Sequence, residues 1–143
     1  KVPLKIAGDG PERATLERHA AGRAEFLGRL SDDAIRTLYR RAAVVLLPGE
    51  EDFGIVPLEA QACGRPVVAL GRGGARETVR HGETGLLVDD LSTEAFSDAV
   101  VKAVQQTFHA GTVREHAEQF GRHRFGDQME ALVNSLASPE TGR

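Results

Sequence analysis

Residues 48–64 read P-G-E-E-D-F-G-I-V-P-L-E-A-Q-A-C-G, and their order dictates how the flanking chain must be arranged. The apolar run at 43–47 just before them has the length of a strand, is too short for a helix, and is bounded by Pro48-Gly49. Gly54 supplies the unusual backbone geometry needed to enter a helix, and Pro57 is tolerated only in a first turn, where its missing N–H costs nothing. The pattern predicts a helix that begins within residues 53–56. Gly64 followed by Pro66 stops it, and Val67–Leu70 is the next strand-length apolar run. Short apolar strands alternating with helices predict an α/β fold, a parallel sheet with helices on both faces.

The same stretch carries candidate chemistry. Amides of Gly54, Ile55 and Val56 point out of the predicted helix mouth with the positive end of the dipole behind them, a seat for a phosphate. Glu51 lies in the loop before that seat, and Glu59 one turn inside the helix, on the face of Ile55 and Val56. Carboxylates are poor phosphate ligands because like charges repel, but they accept hydrogen bonds from hydroxyls on either side of one. A ligand built as sugar, diphosphate and second sugar satisfies both. Composition alone equally allows Glu51 and Asp52 as helix-start acids and Glu59 as a solvated side chain.

Outward from this centre the alternation continues. Leu4–Ala7 reads as a buried strand, followed by the turn Gly8-Asp9-Gly10 and a helix from Pro11 or Glu12. Residues 24–27 form a second strand, and Ser31 and Asp32 cap a helix over 33–42. Asp32-Asp33 fits helix capping better than a metal pair. On the other side, G-R-G-G at 71–74 precedes a helix, either as a flexible turn or as a close backbone approach to a ligand. Gly82 and Gly85 are turn residues into a strand over 86–88. Ser92 or Thr93 caps a helix with an apolar stripe, and one or two helices close the chain from Thr112, with Ser138 onward expected to fray. The domain therefore spans 1–136, with a tail at 137–143. In a parallel sheet, ligands sit beyond the carboxyl ends of the strands, where G-D-G, Arg29, Glu51 and the 71–74 glycines emerge.

A length of 143 residues fits one domain, and 41% hydrophobic with 27% charged residues fits a soluble globular chain. The net charge of −3 gives no general attraction to nucleic acid or anionic lipid. Cys63 is the single cysteine, so no internal disulfide forms, and its neighbours Ala62 and Gly64 suit a small buried residue. The five histidines are scattered without ligand spacing, so no metal site is expected. Arg114, Arg122, His123 and Arg124 read as a solvated basic face. No apolar run approaches the ~20 residues of a membrane span and no signal peptide opens the chain, so the expected setting is cytoplasmic.

The run E-D-F-G-I-V-P-L-E-A-Q-A-C-G-R-P-V-V resembles the E-x7-E signature of retaining glycosyltransferases of the GT-B architecture, group 1 glycosyl transferases with two Rossmann-like domains. The likeness runs in order from K-I-A-G-D-G-P through F-L-G-R-L and G-G-A-R-E-T-V to H-G-E-T-G-L-L-V, about two thirds of the chain. It implies the donor-binding half of such an enzyme, transferring a hexose from a nucleotide-diphospho-sugar to a glycan or lipid-linked acceptor. By that resemblance Glu51 is the catalytic carboxylate and meets hydroxyls of the donor sugar, while Glu59 holds the ribose. Phe53, Gly54, Ile55 and Val56 meet the sugar or diphosphate, Gly8 and Gly10 lie near the nucleotide, and Arg29 and Leu30 beside the base. The variant loop looks most like bacterial mannosyltransferases of surface-polysaccharide assembly, which suggests GDP-mannose, with a UDP-sugar as the other donor. No cofactor and no metal are implied, because amides and basic side chains carry the diphosphate charge. For the full enzyme, peripheral membrane association stays open.

In the resembled family an acceptor-binding domain and the first strand and helix of the donor domain precede the segment matched here, since K-I-A-G corresponds to the second strand. A sheet ordered 3-2-1-4-5-6 would then lack its central strand, and the chain alone is expected to be inactive. A different class of reading is a stand-alone nucleotide-binding module completed by a partner chain. A third, hydrolysis with Glu51 and Glu59 as an acid/base pair, is disfavoured, because carboxylates serving opposite sides of a diphosphate do not flank one bond.

Overall fold

The computed structural model describes residues 3–137, and within them each expected apolar run forms a strand. In chain order these are β1 (Leu4–Ala7), β2 (Ala24–Gly28), β3 (Val45–Leu47), β4 (Val67–Leu70) and β5 (Gly85–Val88). The helices are α1 (Arg13–Ala20), α2 (Asp32–Arg41), α3 (Ile55–Ala62), α4 (Ala75–Thr78), α5 (Thr93–Gln105), α6 (Ala110–Glu118) and α7 (Arg122–Ala137). All strand pairs are parallel, as helical crossovers require. The fold class is α/β. The ladders fall into two sheets, β1-β2 and β3-β4-β5, and the chain divides into two compact units at Arg41 and Ala42.

In the first unit, Leu4 pairs with Ala24 and Ile6 with Phe26, and Lys5 and Glu25 form a cross-strand ion pair at 2.7 Å. Arg13 ties α1 to β2 through the carbonyl of Phe26. The Ser31 hydroxyl accepts the amide of Ala34 at 3.4 Å, so the acids at 32 and 33 sit in a helix start as their spacing suggested. One expectation is corrected. The strand at Leu4–Ala7 forms but is not buried: Leu4 is 43% exposed, and no described residue from 3 to 41 is buried. Two strands and two amphipathic helices cannot enclose an apolar interior, so this unit has no core of its own.

The second unit has one. β4 is its central strand and is buried along its whole length, which explains why its four residues are apolar without alternation. Val68, Leu86 and Val88 pack on one face with Ala103, Phe96 and Val100 of α5. Val67 and Ala69 alternate to the other face, where α3 lies against β3 and β4 and α6 lies against α3. The start of α5 is capped by Ser92, whose hydroxyl accepts the Ala95 amide at 3.2 Å. Gly82 is a left-handed turn residue with φ 86°. Gly85 is not: it opens β5, and a Cβ there would collide with the backbone carbonyl of Val67, so close packing rather than turn geometry requires it. The chain closes with two helices, and α7 leaves Phe125, Met129, Leu132, Val133 and Leu136 exposed. Those five share one helix face. The expected fraying from Ser138 lies outside the described residues.

Candidate functional site

The helix at the centre of the sequence forms where its punctuation places it. Gly54 is the N-cap residue of α3 with φ 77° and ψ 88°, a conformation that costs an L-residue about 1 kcal/mol or more, and Pro57 sits in the first turn. The far end is a Schellman closure: the Gly64 amide donates to the Gln61 carbonyl at 2.7 Å and the Arg65 amide to that of Ala60 at 3.0 Å, with Gly64 at φ 74°. Both ends are thus set by the residues the sequence singled out.

At the mouth of α3, Gly54 is buried, Val56 half-buried, and Glu51, Phe53, Ile55 and Glu59 exposed. Among the described residues no carbonyl or side chain accepts from the amides of Gly54, Ile55 and Val56, the orphan donors every helix start carries. The Glu51 carboxylate hangs beside the cap, with Oε2 3.6 Å from where a Cβ on Gly54 would stand, so the dipole of α3 favours its charge there. Glu59, one turn along, borders an open, mostly apolar hollow of about 750 Å³ with Leu58, Phe120 and Phe125.

The glycines at 73 and 74 have a role beyond a flexible turn or a ligand approach. A Cβ on Gly73 would strike the carbonyl of Glu51, and one on Gly74 the carbonyl of Phe53. The Gly74 amide donates to the Glu51 carbonyl at 2.9 Å. The pair is therefore a bed on which the acidic loop lies, and only glycine allows the two backbones to approach this closely.

Behind that bed lies a buried polar cluster. The Thr78 hydroxyl and amide both donate to the Gly74 carbonyl, at 2.9 and 3.0 Å. The Thr78 carbonyl accepts from Gln61 Nε2 at 2.8 Å and lies 3.1 Å from His116 Nε2. A carbonyl only accepts, so the proton of the neutral imidazole is on Nε2. Burial holds the His116 pKa below its ordinary value of 6.5, assisted by Arg80 and opposed by the Thr78 hydrogen bond and Glu83. The ring also meets Phe120 edge-on at 5.4 Å, and Phe120 meets Phe53 of the acidic loop at 6.2 Å.

Of the residues expected to bind a donor, the structure brings Glu51, Phe53, Gly54, Ile55, Val56 and Glu59 together around one helix end. In the first unit, Gly8 and Arg29 follow the carboxyl ends of β1 and β2, with Gly10 and Leu30 just beyond. The Gly8 amide donates to the Gly28 carbonyl at 2.8 Å, and a Cβ on Gly8 or Gly10 would meet no atom within 4 Å, so their open faces admit close approach. Cys63 is half-buried at the end of α3. His116 and Phe120 carry no motif in the sequence, and Thr78 stands within G-G-A-R-E-T-V without a role of its own there. The signal available was a histidine at i+3 from Val113, on the apolar face of a helix.

Comparison with known proteins adds to this geometry. The family model for glycosyl transferases group 1 matches residues 1–106. D-inositol 3-phosphate glycosyltransferase of Rhodococcus opacus is 39% identical over 114 residues, covering 76% of this chain and 26% of that protein. N-acetyl-alpha-D-glucosaminyl L-malate synthase of Bacillus anthracis is 32% identical over 139 residues, covering 90% and 36%. Among solved structures, sucrose-phosphate synthase of Thermosynechococcus elongatus superposes with a TM-score of 0.78 at 31% identity, covering 94% of this chain and 38% of that one. The Anabaena HepE protein in complex with UDP and glucose gives 0.77 at 27% identity, covering 92% and 39%. This chain spans between 24% and 36% of the length of such curated relatives.

Proposed function

The chain belongs to the glycosyl transferases group 1 family, and on that premise we propose that it is the donor-binding portion of a retaining GT-B enzyme that transfers a hexose to a glycan or lipid-linked acceptor. One observation carries the reading: a helix mouth with three orphan amides, flanked by Glu51 before it and Glu59 one turn inside, on a loop seated against glycine backbone. The amides of Gly54, Ile55 and Val56 take the diphosphate and stabilise the charge that grows on it as the glycosidic bond breaks. Glu59 accepts from the ribose hydroxyls. Glu51, now beside the cap, turns away from the diphosphate and accepts from the sugar, since two like charges cannot share the mouth. The resemblance alone assigns Gly8 and Gly10 to the nucleotide and Arg29 and Leu30 to the base. No metal is called for in this scheme.

For the donor, a UDP-sugar is the first choice, supported by the UDP and glucose bound to the HepE relative at 27% identity. GDP-mannose is the second, supported by the likeness of the 51–66 stretch to bacterial mannosyltransferases. The remainder of the enzyme, in the same polypeptide or a partner chain, supplies the acceptor site, and this portion alone binds donor without turning it over. The apolar face of α7 and the coreless first unit favour such completion. Titration calorimetry with UDP, GDP and ADP and their sugar conjugates tests the proposal. Saturable binding of one nucleotide, tightened by its sugar, is expected; heat from none of the three would overturn it.

A further inference from the structure

We infer that His116, far from the acidic loop in sequence, is a positioning residue that fixes the loop over 51–54 by two routes at once. The inference rests on the reading of that loop as donor-facing. The polar route runs from the imidazole to the Thr78 carbonyl, 3.1 Å away, through Thr78 to the Gly74 carbonyl at 2.9 Å, and from the Gly74 amide to the Glu51 carbonyl at 2.9 Å. The aromatic route runs from the same ring to Phe120 at 5.4 Å and on to Phe53 at 6.2 Å. The two routes leave one side chain and end two residues apart, on either side of Asp52. Between them they hold a loop whose side chains at 51 and 52 are exposed and whose Phe53 is held through its ring contact with Phe120.

Simple packing does not ask for a histidine here. Position 116 is 4% exposed and lies beside Val113 and Ala117, where an aliphatic side chain would complete the apolar face of α6. Gln61 already donates to the Thr78 carbonyl. An imidazole in this place costs desolvation. What it uniquely joins is a directed N–H toward Thr78 and a flat edge toward Phe120, an arrangement that favours edge-to-face contact. Removing either function should therefore loosen the loop while leaving the β-sheet intact.

Amide hydrogen exchange followed by NMR on the full chain tests this, with His116→Phe, which keeps the ring contact and deletes the N–H, and Phe120→Leu, which keeps apolar bulk and deletes the ring. The Gly74 amide is the reporter and the Val68 and Leu86 amides are the controls. Exchange at Gly74 should quicken at least about tenfold in both variants with the controls unchanged, as a local opening does. In titrations with UDP and UDP-glucose, both variants should lose the preference for the sugar conjugate more than they lose affinity for UDP, a split that general destabilisation does not produce. Unchanged Gly74 protection in both variants, or equal loss at reporter and controls, would overturn the inference. If the unaltered chain binds neither of these ligands nor GDP and GDP-mannose, the donor reading fails, and the exchange result still decides the role of His116.

Discussion

Glu51 precedes the start of α3 and Glu59 lies one turn inside it, so replacing each should affect a different end of the ligand. Glu59→Gln keeps the helix and removes the charge that accepts from ribose; nucleotide affinity should fall by ~1 kcal/mol or more, the scale of a charged hydrogen bond. Titration that finds the affinity unchanged would remove Glu59 from the site. Glu51→Ala should erase any preference for nucleotide-sugar over bare nucleotide and leave the nucleotide itself almost untouched. Equal losses for both ligands would contradict that division. His116 makes a separate prediction about pH. Its folded-state pKa lies below 6.5, so between that value and 6.5 the unfolded chain binds more protons and stability rises with pH. Stability present at pH 7 is thus lost as pH falls through the folded value. Arg80 and Glu83, the charges that act on the ring, are present in both the native chain and the variant. Urea midpoints across that range should drop more steeply for the native chain than for His116→Phe; parallel curves would show that the ring is not held neutral.

Among elements, what could be read in advance was what depends on near neighbours in sequence. Gly54, Pro57, Gly64 and Pro66 announced both ends of α3, and Ser92 the start of α5, because caps and closures are made within a few residues. The three glycines that pack against distant backbone were open to misreading. Gly73 and Gly74 meet Glu51 and Phe53, and Gly85 meets Val67, and a glycine chosen for contact looks the same in sequence as one chosen for a turn. His116 was silent for the same reason, its partner Thr78 being 38 residues away. The distinction is measurable. Gly85→Ala should destabilise the second unit by about 1–3 kcal/mol, as overpacking does, seen as a lower urea midpoint. A change within a few tenths would mean that β4 and β5 can part at no cost.

At the scale of the whole molecule the two units differ in kind. Residues 42–137 enclose a sheet buried on both faces, whereas residues 3–41 carry two strands and two helices with nothing buried. A two-stranded sheet is marginal in water, so limited proteolysis should cut first within 3–41 and leave the second unit intact for longer. Cleavage that begins in β4 or α5 would contradict this. Edge strands at β1 and β3 and the bare apolar face of α7 offer surfaces for further polypeptide, which agrees with a segment spanning about a third or less of its curated relatives. Whether this segment seats a nucleotide-sugar at the mouth of α3 is decided by following backbone amide shifts as UDP-glucose, and separately GDP-mannose, is added. One of the two should move the amides of Gly54, Ile55 and Val56 together and saturably, with Glu59→Gln weakening the response. Shifts confined to other surfaces, or none with either compound, would contradict it.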